Sequence, residues 1–167
     1  MPEPENPYLV AKFEVTTRSF YQALVEIGEG ADFYMSEDRC RESLAGASEG
    51  QIGLWAVLWY DGEVNNGGHW QFFDNSAGMI WKEVLFGFEL IGDQERLDIL
   101  RRACSLFPEG NPPCERHERS IALEIIECGK AKMNALDDEF YALSSDAFDG
   151  RMAGFIQAHP EQFFFPD

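Results

Sequence analysis

Glu63-Val64-Asn65-Asn66-Gly67-Gly68-His69-Trp70-Gln71-Phe72-Phe73-Asp74-Asn75-Ser76-Ala77-Gly78 is the stretch on which the reading of this chain turns. Upstream of it, Ile52, Trp55, Trp59 and Glu63 recur at helical spacing, which predicts a helix opened by Ser48 or Glu49. Gly67 and Gly68 interrupt that helix, because glycine adopts backbone conformations closed to other residues. His69 to Asp74 reads as a short helical piece beyond the break. Ala77, Ile80, Trp81, Val84, Phe88 and Ile91 then make a further apolar stripe that ends at Gly92. A polar turn therefore lies between two apolar helices, and its side chains must find partners.

The stripe points Glu63 inward, and a buried carboxylate needs donors. The free N–H groups of a helix start near Gly67 are the closest, and the helix dipole favours an anion there, so Glu63 is expected to cap that start. Gln71 and Asn75 are four apart, on one face, and extend the same network. Two readings follow. As a packing device, Glu63, Asn66, Gly67, Gly68, Gln71 and Asn75 staple two helices together. As a site, Glu63, His69, Gln71 and Asn75 form a pocket for a small ligand or for hydrolysis. Catalysis needs a second titrating group, and His69 is the nearby candidate. There is no G-x-x-x-x-G-K pattern and no preceding strand, so a phosphate loop does not fit.

Working outward, residues 1–12 read as an extended N-terminal arm and 13–167 as a single helical domain. Phe13, Phe20, Leu24 and Ile27 fall on one helical stripe, stopped by Gly28 and Gly30. Ser36 reads as the N-cap of a short helix ending near Gly46, and Asp93 as the cap of one carrying Leu97, Leu100 and Cys104. Residues 115–133 read as one helix with Ile121, Ile125 and Cys128 buried, and with His117 and Arg119 on its exposed face. Leu136, Phe140 and Leu143 mark another helix, and a last one runs around Arg151 to Ala158 before Pro160. Period-two alternation is absent, so the fold class is all-α, a single compact multi-helix domain of about eight helices counting short ones. The four tryptophans read as core, and Phe163-Phe164-Phe165 as a segment docked on the body or on a second copy.

The charge excludes several functions. Thirty acids against 13 bases leave a net charge of −17. Direct contact with nucleic acid needs a basic surface, and anionic membranes repel such a chain. Neither a leader nor an 18-residue apolar run is seen, and the four cysteines have no C-x-x-C spacing; both point to a cytoplasmic protein with free thiols. No Cys/His ligand spacing suggests a metal, and no cofactor motif is present. The charge is uneven. Residues 49–95 hold eight acids and one base, and 133–150 hold five acids and no base, whereas 96–132 hold six acids and seven bases. Asp137, Asp138, Glu139, Asp146 and Asp149 are the densest base-free set and the candidate partner-binding surface.

The pattern acid-x-Asn-Asn-Gly-Gly-x-x-Gln-Phe-Phe-x-Asn-Ser-x-Gly, read over Glu63–Gly78, resembles the bacterial DNA-mimic protein family. Leu136-Asp137-Asp138-Glu139-Phe140-Tyr141 and His159-Pro160-Glu161-Gln162-Phe163 look like that family's last two helices, and the resemblance covers most of residues 13–163. His69 departs from it, standing where an aromatic is expected. The resemblance implies an all-helical fold and a homodimer whose acidic surface imitates duplex DNA and occupies a DNA-binding protein such as a transcription factor. It implies no catalysis. Duplex DNA carries about one charge per 1.7 Å of axis, so this net charge matches roughly eight or nine base pairs. The alternatives are a ligand or hydrolytic site at the Glu63–Asn75 turn, or a purely structural motif.

Overall fold

The computed structural model describes residues 6–166. The acidic, Pro-rich opening at Met1–Glu5, read as the start of the arm, lies outside the described residues, as does Asp167. Eight α-helices are present among them: α1 Val25–Gly30, α2 Glu37–Ser43, α3 Glu49–Asp74, α4 Trp81–Ile91, α5 Gln94–Ser105, α6 Arg116–Glu124, α7 Gly129–Tyr141 and α8 Ser145–Ala158. Short 3-10 turns at Phe20–Leu24, Ser76–Ile80, Pro108–Gly110 and Pro160–Gln162 complete the elements. The class is all-α.

Local chemistry sets most of the boundaries. Ser36 caps α2 through the Arg39 N–H, and Ser48 caps α3 in a capping box with Gln51. Asp93 caps α5 through the Arg96 N–H, and Gly92 closes α4 in the left-handed conformation at φ 67°. Helix α3 is the spine and packs on α4, α6 and α7. Its approach to α4 relies on two glycines: a Cβ on Gly87 would lie 2.3 Å from the Gly53 carbonyl oxygen. Tyr60 of α3 stands at the centre of the core, edge-on to Phe72, Phe88 and Phe140 at centroid distances of 5.0, 5.5 and 5.8 Å.

The break in α3 falls at the two glycines. Gly67 has φ −157°, an extended value open to any residue, but Gly68 has φ 75° and ψ −179°, a conformation essentially confined to glycine. The chain resumes its helix at His69.

The two ends of the chain are tied to each other and to the body. Val10 and Phe164 form a parallel bridge, with Val10 N–H on the Phe163 carbonyl at 2.9 Å and Phe165 N–H on the Val10 carbonyl at 3.0 Å. Gln51 donates to the Tyr8 carbonyl at 2.7 Å and accepts from Asn6 at 2.7 Å. Phe163 and Phe164 are buried, while Phe165 is half exposed at 52%. Trp55 and Trp81 are buried, and Trp59 and Trp70 pack against the core from its edge.

Four expectations are corrected. Phe13 does not share a helix with Phe20; its segment is non-helical, and the ring packs edge-on to Phe164 at 5.3 Å. Residues 115–133 form two helices, parted where Cys128 takes a left-handed φ of 54° and Gly129 comes up against the Trp70 ring. Ile121, Ile125 and Cys128 are exposed, and the buried face of α6 carries Arg119, Ala122 and Leu123 instead. Finally, α8 begins at Ser145, capped by Ser144, well before Arg151.

Arg119 explains the rotation of α6. It is fully buried and donates to the carbonyls of Phe73 at 2.5 Å, Asn75 at 2.7 Å, Pro113 at 2.8 Å and Cys114 at 2.7 Å. Two of these lie at the C-terminal end of α3, where carbonyls lack helical partners and a cation is favoured. Burial lowers its pKa to about 10.

Candidate functional site

The break at Gly67–Gly68 divides the polar motif into an inner and an outer network. On the inner side, His69 is fully buried. Its backbone N–H, the first of the resumed helix, donates to Asp137 Oδ1 at 2.8 Å, and its Nδ1 meets the same oxygen at 2.5 Å. Nε2 lies 2.6 Å from the Tyr60 hydroxyl. Burial pushes the Tyr60 phenol well above its usual range, so it stays protonated and donates. Asp137 Oδ1 already accepts from the His69 backbone N–H, so the network assigns the ring proton to Nδ1 and leaves Nε2 to accept from Tyr60. Asp137 therefore caps the second part of α3, the role that sequence spacing assigned to Glu63, and fixes the imidazole as well. Gly68 makes room for it, since a Cβ there would sit 2.3 Å from Asp137 Oδ2.

On the outer side, Glu63 is half-buried, not interior. Its Oε2 accepts from Gln71 Nε2 and from Asn75 Nδ2, each at 2.9 Å. Glu63 thus binds side-chain amides and not the backbone N–H groups it was expected to cap, because Asp137 reaches the first of those from across the core. Asn66 is exposed, and it lines with Glu63, Gln71 and Asn75 a groove of about 610 Å³ walled by Tyr21, Val25 and Trp59. Trp55 also belongs to this wall, and its buried indole N–H has no acceptor among the described residues. The carboxylate and the imidazole lie in separate networks, so the combined Glu63–His69 pocket expected for hydrolysis is not assembled.

The five acids grouped by sequence separate as well. Asp137 is buried in the inner network and is withdrawn from any partner surface. Glu139 is exposed but holds Arg102 in a two-pronged pair at 2.9 and 2.5 Å, which lowers its pKa. Asp138 and Asp146 are exposed and Asp149 half-buried, with no ion pair among the described residues. Asp149 has its carboxyl raised, by burial first and by Asp146 second. Asp61 of α3 is also raised, chiefly by burial, with Arg96 opposing and Asp149 adding to the rise. Asp61, Asp146 and Asp149 therefore share one field. Arg96, at its centre, is buried, paired with Asp93 at 3.0 Å and stacked 4.9 Å from Phe148.

Several arginines are held by carbonyl oxygens. Arg116, Arg119 and Arg151 give their N–H groups to the carbonyls of Asp74, Phe73 and Gly92. These bases reinforce helix ends. Among the described residues, no group of three or more His, Cys, Asp or Glu is placed to hold a metal ion, and no helix is long and apolar enough to cross a membrane.

Sequence reasoning put Asp137 and Arg119 on the surface and missed Tyr60. The signal was there in each case. Met133, Leu136, Asp137 and Phe140 share one stripe, as do Val57, Tyr60 and Val64, and Arg119, Ala122 and Leu123.

Taken together, the fold and the turn define an acidic all-helical domain in which a conspicuous polar motif joins helices through two hydrogen-bond networks. The family model for DMP19-like protein matches residues 45–159, from before α3 to the end of α8, and the chain belongs to that family. This is the DNA-mimic family that the Glu63–Gly78 pattern resembles. Comparisons with curated proteins and with solved structures returned no match.

Proposed function

We propose that this chain is an acidic binding protein, not an enzyme, that occupies the DNA-contacting surface of a basic DNA-binding protein such as a transcription factor. The observation that carries the reading is the unneutralised charge. The chain carries a net charge of −17, and Asp138 and Asp146 stand exposed with no ion pair among the described residues. Asp138, Asp146 and Asp149 supply the recognition face, without Asp137, and with Glu139 answered by Arg102 and Asp61 facing Arg96 at 4.0 Å. The carboxyl of Asp149, raised by burial and by Asp146, is charge that a cationic partner would relieve.

The active form is a homodimer, and α6 is the face that meets the second copy. Ile121 and Ile125 are exposed at 52% and 70%, and they lie in the near-neutral segment 96–132, where two copies of an acidic chain repel least. Light scattering would read a dimer for the wild type and a monomer for Ile125→Glu; a monomeric wild type contradicts this arrangement.

The mimic reading is tested by capture from host lysate on the immobilised protein, with elution by salt and by excess duplex DNA. The expected result is retention of a DNA-binding protein that both treatments displace. Retention of nothing, or of a protein indifferent to salt and to duplex DNA, contradicts it.

A further inference from the structure

The outer network does more than join helices. Oε2 of Glu63 takes both amide donors, at 2.9 Å each, which fixes the carboxylate and leaves Oε1 without a protein donor among the described residues. No Lys, Arg or His lines the adjoining groove. Its walls are apolar and aromatic, with Tyr21, Val25 and Trp59 prominent, and its volume of about 610 Å³ lies within the range that small-molecule sites occupy, roughly 300–1,000 Å³. A half-buried carboxylate on such a wall, held by neutral amides and not by a cation, favours a positively charged guest. Aromatic faces beside it stabilise the same charge. Turning their N–H groups to Glu63 leaves the amide oxygens of Gln71 and Asn75 as further acceptors.

We propose that this groove binds a small organic cation, a primary amine or guanidine carried on an apolar body, with Glu63 as its counter-ion. The apolar body lies along Trp59 and Val25, and the cationic head meets Glu63 Oε1. The surrounding negative field concentrates cations of any kind, but the groove selects those with an apolar part. The proposal stands apart from DNA mimicry: it concerns the motif face and a small ligand.

The test is calorimetric and NMR titration of the full chain with 2-phenylethylamine and 2-phenylethylguanidine, against 2-phenylethanol and phenylacetate as neutral and anionic controls. Saturable binding of at least one cation is expected, with shifts at the Trp59 indole and affinity about tenfold or more above both controls. Glu63→Gln keeps an acceptor for Gln71 and Asn75, and it is expected to lose about tenfold or more in affinity while melting as the wild type does. Should that variant fail to fold, Val25→Trp fills the groove without touching the carboxylate and is expected to lose the same binding. Absence of saturable binding by both cations, equal binding of the alcohol, or unchanged affinity in a folded Glu63→Gln or Val25→Trp variant would overturn the proposal.

Discussion

Asp137 takes two hydrogen bonds from a single residue, His69, at 2.8 Å from the backbone N–H and 2.5 Å from Nδ1. One carboxylate on α7 thereby starts the second part of α3 and orients the imidazole that binds Tyr60. An acid in an acidic run, Asp137-Asp138-Glu139, is thus part of the core and not of the surface.

Asp137→Ala strands a buried N–H and an imidazole, so a loss of about 2–4 kcal/mol is expected. For a chain of this size that lowers Tm by roughly 5–15 °C. Asp138→Ala, one position on and exposed, should stay within about 0.5 kcal/mol of the wild type. Calorimetric melting of the two variants side by side makes the comparison; equal, small effects would show that Asp137 does not hold the break.

Gly68→Ala combines a φ of 75° with a Cβ driven to 2.3 Å from Asp137 Oδ2, and is expected to cost about 3 kcal/mol or more. Gly62 is the internal control. It is exposed in the regular part of α3, and nothing lies within 4 Å of its added Cβ, so Gly62→Ala should stabilise by about 0.5–1 kcal/mol. Urea unfolding of both variants resolves the opposite signs.

Much of this was legible because it is local. The caps at Ser36, Ser48 and Asp93, the stop at Gly92 and the break at Gly67–Gly68 depend on residues within one turn of each other. What was hidden depends on partners far along the chain. Three consecutive acids point about 100° apart on a helix; the Met133, Leu136 and Phe140 stripe marks Asp137 as the inward one, but its partner His69 lies 68 residues earlier. The run Ile121, Ile125 and Cys128 has correct helical spacing, yet Arg119 turns the opposite face inward by binding carbonyls of α3 and of the Pro113–Cys114 loop. Glu63 was placed in the right turn with Gln71 and Asn75 beside it, but those amides are its donors and the expected backbone N–H groups are not.

Arg119→Lys keeps the charge and loses the planar fork that serves four carbonyls. A cost of about 3 kcal/mol is expected, from buried acceptors left unpaired. Hydrogen exchange is the sharper readout: protection should fall at the end of α3 and at the start of α6 together. Loss confined to α6 would show that the arginine does not join them.

The raised carboxyls of Asp61 and Asp149 carry a pH signature. Where the folded pKa exceeds the unfolded one, the unfolded chain binds fewer protons between the two values. Their stabilising contribution is therefore complete below the unfolded pKa and is lost as pH rises through the folded value. Asp149→Asn should raise Tm at pH 7, by no more than about 2 °C for a carboxylate with this much solvent around it, and confer no advantage near pH 3. An advantage that persists in acid would place its origin elsewhere.

Recognition on exposed acids, held in place by a structural motif, is tested most directly by the salt dependence of partner binding. The DNA-binding protein captured by the wild type is titrated against the wild type and the Asp138→Asn, Asp146→Asn, Asp149→Asn triple variant over a range of salt. The triple variant is expected to bind about tenfold or more weakly at low salt and to show a shallower dependence of log affinity on log salt, with duplex DNA still competing for the partner. Identical affinity and an identical salt slope for the two proteins would contradict the acidic face as the site of recognition.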